Sequence, residues 1–195
     1  MSGRLALVGL CVLLALGSAT APAQETERWD RYLDRPRGPY RGQVVDAETK
    51  APLVGAVVVV HWLRDRVLPF HMVAENYAVR ETVTDAEGHF RLDGRDVEEG
   101  APRRTRRPAF LIFQPGYGKF PGGQVSPKGF TGGIFERDGT VVELPRLADR
   151  EERRKHVRSF GPHSYSQDPF RDLSELMRRI NAERIAIGLE PYTPE

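Results

Sequence analysis

The sequence predicts a mainly β fold, an antiparallel β-sandwich carrying a C-terminal helical appendage. Three observations carry that expectation. Short runs of alternating or β-branched residues recur between Tyr40 and Leu144, and Gly, Pro and Asp punctuate them. Helical spacing of apolar residues is sustained only near the C-terminus, at Phe170, Leu173, Leu176, Met177 and Ile180.

The chain opens on an expected leader. Arg4 supplies one positive charge, and Leu5 to Leu16 form an apolar run too short to cross a bilayer as a helix. Ala21-Pro22-Ala23 then offers the small-x-small pattern of a signal peptidase site, with cleavage expected after Ala23. The expectation is residues 1–23 as signal peptide, a periplasmic or secreted location, and no transmembrane segment in the mature chain. Cys11 is the only cysteine and lies within the leader, so a mature chain starting at Gln24 forms no disulfide and depends on its core. Lys and Arg number 29 against 27 Asp and Glu, a formal net charge of +2, and this balance gives no reason to expect nucleic acid as partner.

Residues 24–39 are polar, include Trp29 and Tyr32, and read as an N-terminal arm. Tyr40 to Asp46 alternates with period two and reads as a strand, followed by a turn through Pro52. Val54 to Leu63 is a β-branched run as apolar as a central strand. Met72 to Thr84 supplies one strand or two. In Thr84-Asp85-Ala86-Glu87-Gly88-His89-Phe90, an Asp opens a turn, a Gly follows three residues later, and the exit alternates, which predicts a hairpin. Asp93 to Arg107 reads as a polar excursion, Ala109 to Phe113 as a strand, Gly122 to Gly133 as a glycine-rich loop, and Thr140 to Leu144 as a last strand closed by Pro145. The domain expected is 40–146.

Residues 147–195 read as a charged linker and an amphipathic helix. Asp168-Pro169 has the form of an N-cap and first helical residue, and Gly188 that of a C-terminal stop. The apolar stripe between them must be buried, on this domain or on a partner.

Four segments in order bear a likeness to a known family: Gly42-Gln43-Val44-Val45-Asp46; Ala51 to Val59; Thr84 to Phe90; and Pro115-Gly116-Tyr117. Together they resemble the carboxypeptidase regulatory-like domain, a transthyretin-like β-sandwich. The resemblance covers less than half of the mature chain. It implies a non-catalytic module of exported proteins, hence binding or scaffolding, with an envelope protein or polymer as partner and no cofactor.

Other chemistries find less footing. Tyr40-Arg41-Gly42 is superficially similar to the Tyr-Arg-Gly-Ser of transthyretin-like hydrolases, but it opens the domain and Gln43 stands where serine would. His61, His71, His89, His156 and His163 show no close metal-ligand spacing, and no G-x-S-x-G nucleophile motif occurs. No catalytic, cofactor-binding or metal-binding residue is assigned. The rival readings are an enzyme on the same fold, metal-dependent or hydrolytic, and a carbohydrate-binding module that needs Trp62, Tyr117, Phe120 and Phe130 exposed together.

Two segments remain as candidate binding surfaces. Arg103, Arg104, Arg106 and Arg107 form a basic loop flanked by prolines, suited to anionic lipid or an anionic envelope polymer, or simply a solvated loop tip. Tyr117, Phe120 and Phe130 lie among glycines and either face a ligand or cover one end of the sandwich.

Overall fold

The computed structural model describes residues 38–102, 104–122, 139–160 and 173–193, together with the backbone at 130–131 and 134–135. The leader, Trp29, Tyr32, Arg103, His163, Asp168, Pro169 and Phe170 lie outside the described residues, as does the side chain of Phe130. Eight strands are described: β1 (Tyr40–Asp46), β2 (Val57–Val67), β3 (Met72–Val83), β4 (His89–Leu92), β5 (Ala109–Phe113), β6 (Phe130–Thr131), β7 (Ile134–Phe135) and β8 (Thr140–Leu144). Three helices accompany them: α1 (Arg95–Glu99), α2 (Arg150–Arg158) and α3 (Ser174–Ala186).

The strands form two sheets, ordered β4-β1-β8 and β3-β2-β5-β7-β6. Pairing is antiparallel except between β1 and β8, which run parallel with Gly42 opposite Thr140 and Asp46 opposite Leu144. The wholly antiparallel expectation is corrected at that pair. A parallel partner needs a long connection, and here the chain builds the larger sheet before returning.

The hairpin expected at Asp85 is also corrected. The turn at Asp85 forms as its residues dictate: Asp85 Oδ1 accepts from the Glu87 and His89 amides at 3.1 and 2.7 Å, and Gly88 takes φ +74°. It does not join paired strands, however, because β3 pairs with β2 and β4 pairs with β1. The Val44 amide donates to Gly88 O at 2.8 Å and draws the chain across to the smaller sheet. The turn at Pro52 and Gly55 likewise carries the chain between sheets, held by Thr84 Oγ1, which accepts from the Ala56 amide at 2.8 Å and donates to Leu53 O at 2.5 Å.

The run Val57-Val58-Val59-Val60 explains the layering. Val58, Val60 and Trp62 enter a core shared by both sheets, with Tyr40, Val44, Phe90, Phe110, Ile112 and Leu144. Val57 and Val59 point to the other face of β2 and meet a second core, made with Leu111, Phe113, Val157, Phe160, Leu176 and Ile180. Both faces of the strand are therefore buried, and a strand buried on both faces reads as an uninterrupted apolar run instead of an alternation. In the shared core, a Cβ at Gly42 would lie 2.7 Å from the Phe90 ring and from Thr140 O, so glycine is needed there for close approach.

The second core is where the helices dock. Residues 150–158, read as charged linker, form α2 because Asp149 caps it, accepting from the Glu151 and Glu152 amides at 3.2 and 3.3 Å. Among the described residues α3 begins at Ser174, and its cap comes from another element: Glu81 of β3 accepts from the Glu175 and Leu176 amides at 2.9 and 3.0 Å. Its end is a Schellman motif, with the Leu189 amide donating to Arg184 O at 2.8 Å and the Gly188 amide to Ile185 O at 3.0 Å. Glu183, buried in α3, takes two hydrogen bonds of 2.7 Å from Arg153 of α2 and one of 2.9 Å from the Gly116 amide. The stripe Leu173, Leu176 and Ile180 is thus buried within its own chain, with Met177 packed beside it.

The short helix α1 lies within the segment read as a polar excursion. Val97 enters the shared core, and the Glu98 carboxylate accepts from Tyr40 Oη, from Trp62 Nε1 at 3.3 Å and from the Gly38 amide at 3.1 Å. Five residues are too few to register as a helical period, so packing and this carboxylate define it.

Leu176→Ala is expected to lower unfolding free energy by about 2–5 kcal/mol, read as a shift of the denaturant midpoint. An unchanged midpoint would place α3 off the sheet. A second expectation concerns His156, whose ring stacks on Phe113 with centroids 6.1 Å apart. Burial, aided by the positive charge of Lys119, lowers its pKa to about 4 from an ordinary 6.5. The unfolded chain therefore binds the extra proton first, and stability falls as pH drops from about 6.5 to about 4. His156→Phe is expected to flatten that window in urea titrations made at successive pH values.

Candidate interaction surface

Of the aromatic residues read from sequence either as a binding surface or as a cover for one end of the sandwich, Tyr117 and Phe120 are core residues. Phe120 is fully buried and Tyr117 is 9% exposed, both in the cluster that also buries Trp62. The reason is local pairing. Phe120 exchanges two 2.9 Å backbone hydrogen bonds with Ile112, which folds the segment back along β5. Three of the four aromatic residues a carbohydrate platform would need are therefore turned inward, and the fourth, Phe130, is described only as backbone in β6.

Tyr117 has a different task. Its hydroxyl donates to Asp46 Oδ2 at 3.0 Å and accepts from Arg146 Nη2 at 2.6 Å, while the Arg146 guanidinium lies 5.0 Å from its ring centroid. Asp46 also accepts from the Glu48 and Thr49 amides at 2.9 and 3.0 Å. The Thr49 amide contributes most to holding the Asp46 carboxyl at about 2, against the opposing effect of burial. This cluster ties the ends of β1 and β8 to the turn after β5, a structural role.

The basic loop does lie at the surface, in a setting the sequence did not disclose. It is laid against β2: the Asp65 amide donates to Arg104 O at 3.0 Å, the Arg106 amide to Leu63 O at 2.6 Å, and Thr105 bridges to Arg64. Arg106 Nε donates to Asp65 Oδ1 at 2.7 Å, so a buried carboxylate on β2 pins the loop. Arg104 is exposed, with φ +71°, and Arg106 and Arg107 are half-buried.

Beyond that loop, β2 and β3 run on as a projecting hairpin. Ala78 stands opposite Trp62 but Asn76 opposite Leu63, so Tyr77 is an extra residue in β3, a bulge of the kind that bends and twists a strand pair. Past the bulge the pair carries Arg64 opposite Glu75, Arg66 opposite Val73 and Val67 opposite Met72. Glu75 accepts from Arg66 at 3.0 Å and from Arg64 at 3.3 and 3.4 Å, and chiefly the Arg66 bond holds its carboxyl below the ordinary glutamate range. The turn is closed by the Leu68 amide donating to His71 O at 2.8 Å.

The tip is apolar and in solvent. Phe70 is 98% exposed, Val67 54%, Met72 42% and Val73 37%. Val67 and Met72 face one side and Val73 the other. Apolar side chains clustered on a projecting element, with no core of their own to enter, make the tip a candidate interaction surface. Sequence analysis missed it. Arg64 to Pro69 reads in sequence as a charged connector, whereas β2 runs on to Val67, and the available signal was a proline-containing turn followed by a large aromatic residue.

The described histidines are dispersed: His61 in β2, His71 at the hairpin tip, His89 in β4 and His156 in α2. Burial lowers the His61 pKa, opposed by a hydrogen bond with Asn76. Among the described residues no three His, Cys, Asp or Glu side chains gather as a metal site would require. An open depression of about 360 Å³ on the outer face of the smaller sheet is lined by Arg41, Gln43, Asp85, His89, Arg91 and Val141. Asp85 there is engaged by its own turn.

No family model and no curated protein matches the chain. Among solved structures, a streptococcal ancillary pilin is similar at 19% identity and TM-score 0.29, covering 59% of this chain and 31% of its own. The shaft pilin SpaA of Lactobacillus rhamnosus GG aligns at 13% identity and TM-score 0.27, with coverage of 56% and 46%. A 9R-lipoxygenase from Cyanothece PCC8801 aligns at 11% identity and TM-score 0.30, with coverage of 84% and 28%. The chain thus spans less than half the length of each, and likenesses of this size assign no function. Among the described residues no helix is long and apolar enough to cross a membrane.

Tyr117→Phe is expected to destabilise the fold by about 1–3 kcal/mol, because it strips a buried carboxylate of a donor. Asp46, depressed to about 2 in the fold, contributes stability that is complete above the unfolded carboxyl pKa and lost as pH falls from about 4 to about 2. Asp46→Asn should abolish that acid-dependent loss in urea titrations. Retention of it would assign the acid sensitivity to another group.

Proposed function

We propose that the chain is an exported, non-catalytic binding or scaffold module of the cell envelope, acting through the projecting β2–β3 hairpin and the basic loop beside it. The observation that carries this reading is the hairpin tip, where Phe70 stands 98% exposed with Val67, Met72 and Val73 around it. Single apolar residues such as Val83 and Val141 are exposed on other strand segments, but here a fully exposed Phe ring and three further apolar side chains gather at one turn of a strand pair braced by ion pairs.

Several features support the wider setting. The leader-like residues 1–23 fit export with cleavage after Ala23. Four spaced segments resembling the carboxypeptidase regulatory-like domain, with two sheets sharing one core, fit a transthyretin-like sandwich spanning 40–146. Residues 147–195 would then serve as its outer layer. The buried carboxylates Asp46 and Glu183 and the half-buried Glu98 each meet several donors that join elements, which suits a rigid platform.

A photo-crosslinking residue, p-benzoylphenylalanine, placed at position 70 tests the reading in cells producing the full chain. Covalent adducts are expected from position 70 and not from Val141, which is exposed on the outer face of the smaller sheet. Absence of adducts at 70, or equal yields from both positions, would remove the hairpin as the working surface.

A further inference from the structure

Resting on the reading of the hairpin as the working surface, we infer that its occupant is an anionic lipid bilayer, entered end-on by the tip and gripped at the headgroups by the arginines behind it. Three observations converge on a membrane instead of a protein groove.

The first is the shape of the apolar region. Phe70 stands at the apex, Val67 and Met72 lie on one side of the strand pair, and Val73 shares the other side with Arg66 and, further back, with Arg64 and Glu75. An apolar apex with arginines immediately behind it suits a medium whose apolar interior has an anionic boundary.

The second is its length. Only Val67, Leu68 and Pro69 lie between Arg66 and Phe70, and a tight turn closed from Leu68 to His71 begins directly after Val67, so the apolar tip is short. A short apolar tip suits the shallow depth, about 5–10 Å, to which interfacial elements sink into the boundary between headgroups and acyl chains.

The third is charge and its position. In residues 63–75 and 104–107, five arginines stand against two carboxylates, Asp65 and Glu75. Asp65 is held by Arg106, and Glu75 by Arg64 and Arg66. The excess positive charge therefore sits behind the tip, on the last ordered turn of strand and on the loop fastened to it by the Asp65–Arg104 and Arg106–Leu63 backbone bonds. Arginines at this height would meet phosphate oxygens when the apex is submerged, and long guanidinium side chains reach such a level readily. Burial of the Phe70 ring and attraction of the arginines would then act together.

Co-sedimentation of the full chain with vesicles of phosphatidylcholine alone, or of phosphatidylcholine and phosphatidylglycerol, tests this. Binding is expected to the phosphatidylglycerol vesicles, to weaken strongly at high salt, and to fall about tenfold or more in Phe70→Ser, since burying a Phe side chain is worth about 1.5–3 kcal/mol. Arg104→Glu, exposed and remote from either core, is expected to reduce binding several-fold, while Val141→Ser changes nothing. Absence of vesicle binding, equal binding to neutral vesicles, or insensitivity to Phe70→Ser would overturn the inference. If crosslinks from position 70 then join the chain to a protein, the hairpin keeps its role with a protein occupant. If position 70 gives no adduct either, the hairpin itself is the wrong surface.

Discussion

Burial of β2 on both faces is the constraint from which the rest of the architecture follows. Val58 and Val60 need the smaller sheet against them, and Val57 and Val59 need α2 and α3. Removing either layer would expose half of a strand that has no polar face to offer water. The C-terminal helices are accordingly a third layer of the domain, and the turns at Pro52 and Asp85 must carry the chain across the first core. The same strand then leaves both layers at the Tyr77 bulge and continues as the hairpin. Rigidity at the core end and exposure at the far end are properties of one continuous element.

Carboxylates fix how the layers meet. Glu81 caps α3 from β3, Glu183 ties α3 to α2 and to the turn after β5, Glu98 joins α1 to Tyr40 and Trp62, and Asp46 gathers the ends of β1 and β8. Each buried or half-buried oxygen meets several donors, the condition under which such groups specify an arrangement instead of destabilising it. An arrangement fixed at so many tie-points holds the base of the hairpin steady, and Asp65 extends the pattern outward by anchoring the basic loop.

Local chemistry made much of the fold legible. Strands β1, β5 and β8 follow the expected bounds because alternation or a β-branched run ends at a turn residue in each, and the Asp85 turn forms with its expected side-chain bonds. Pairing was not legible, since a turn signal states that the chain reverses and not which strand receives it. α2 was hidden because its face to the core is narrow, Val157 with Phe160 just beyond, in an otherwise charged segment. α1 was hidden by its brevity. Of the proposed surface, the sequence pointed only to the arginine loop at Arg103, Arg104, Arg106 and Arg107. For Tyr117 and Phe120 the surrounding glycines left a ligand-facing and an end-covering reading open, and pairing of Phe120 with Ile112 and the Asp46 bond of Tyr117 draw both inward. Phe70 drew no reading because Arg64 to Pro69 before it looked like a charged connector, and the length of the strands flanking it is a property of tertiary pairing.

Hydrogen exchange measured segment by segment, with and without phosphatidylglycerol vesicles, bears most directly on the claim that one strand is core at one end and a working surface at the other. The account predicts that amides of Val57–Val60 exchange only through global unfolding in either condition. It predicts that amides around Leu68–Met72 exchange quickly in the free protein and are slowed by the vesicles. Tip amides as protected as those of Val57–Val60 in the free protein, or a tip indifferent to vesicles while another segment slows, would contradict it.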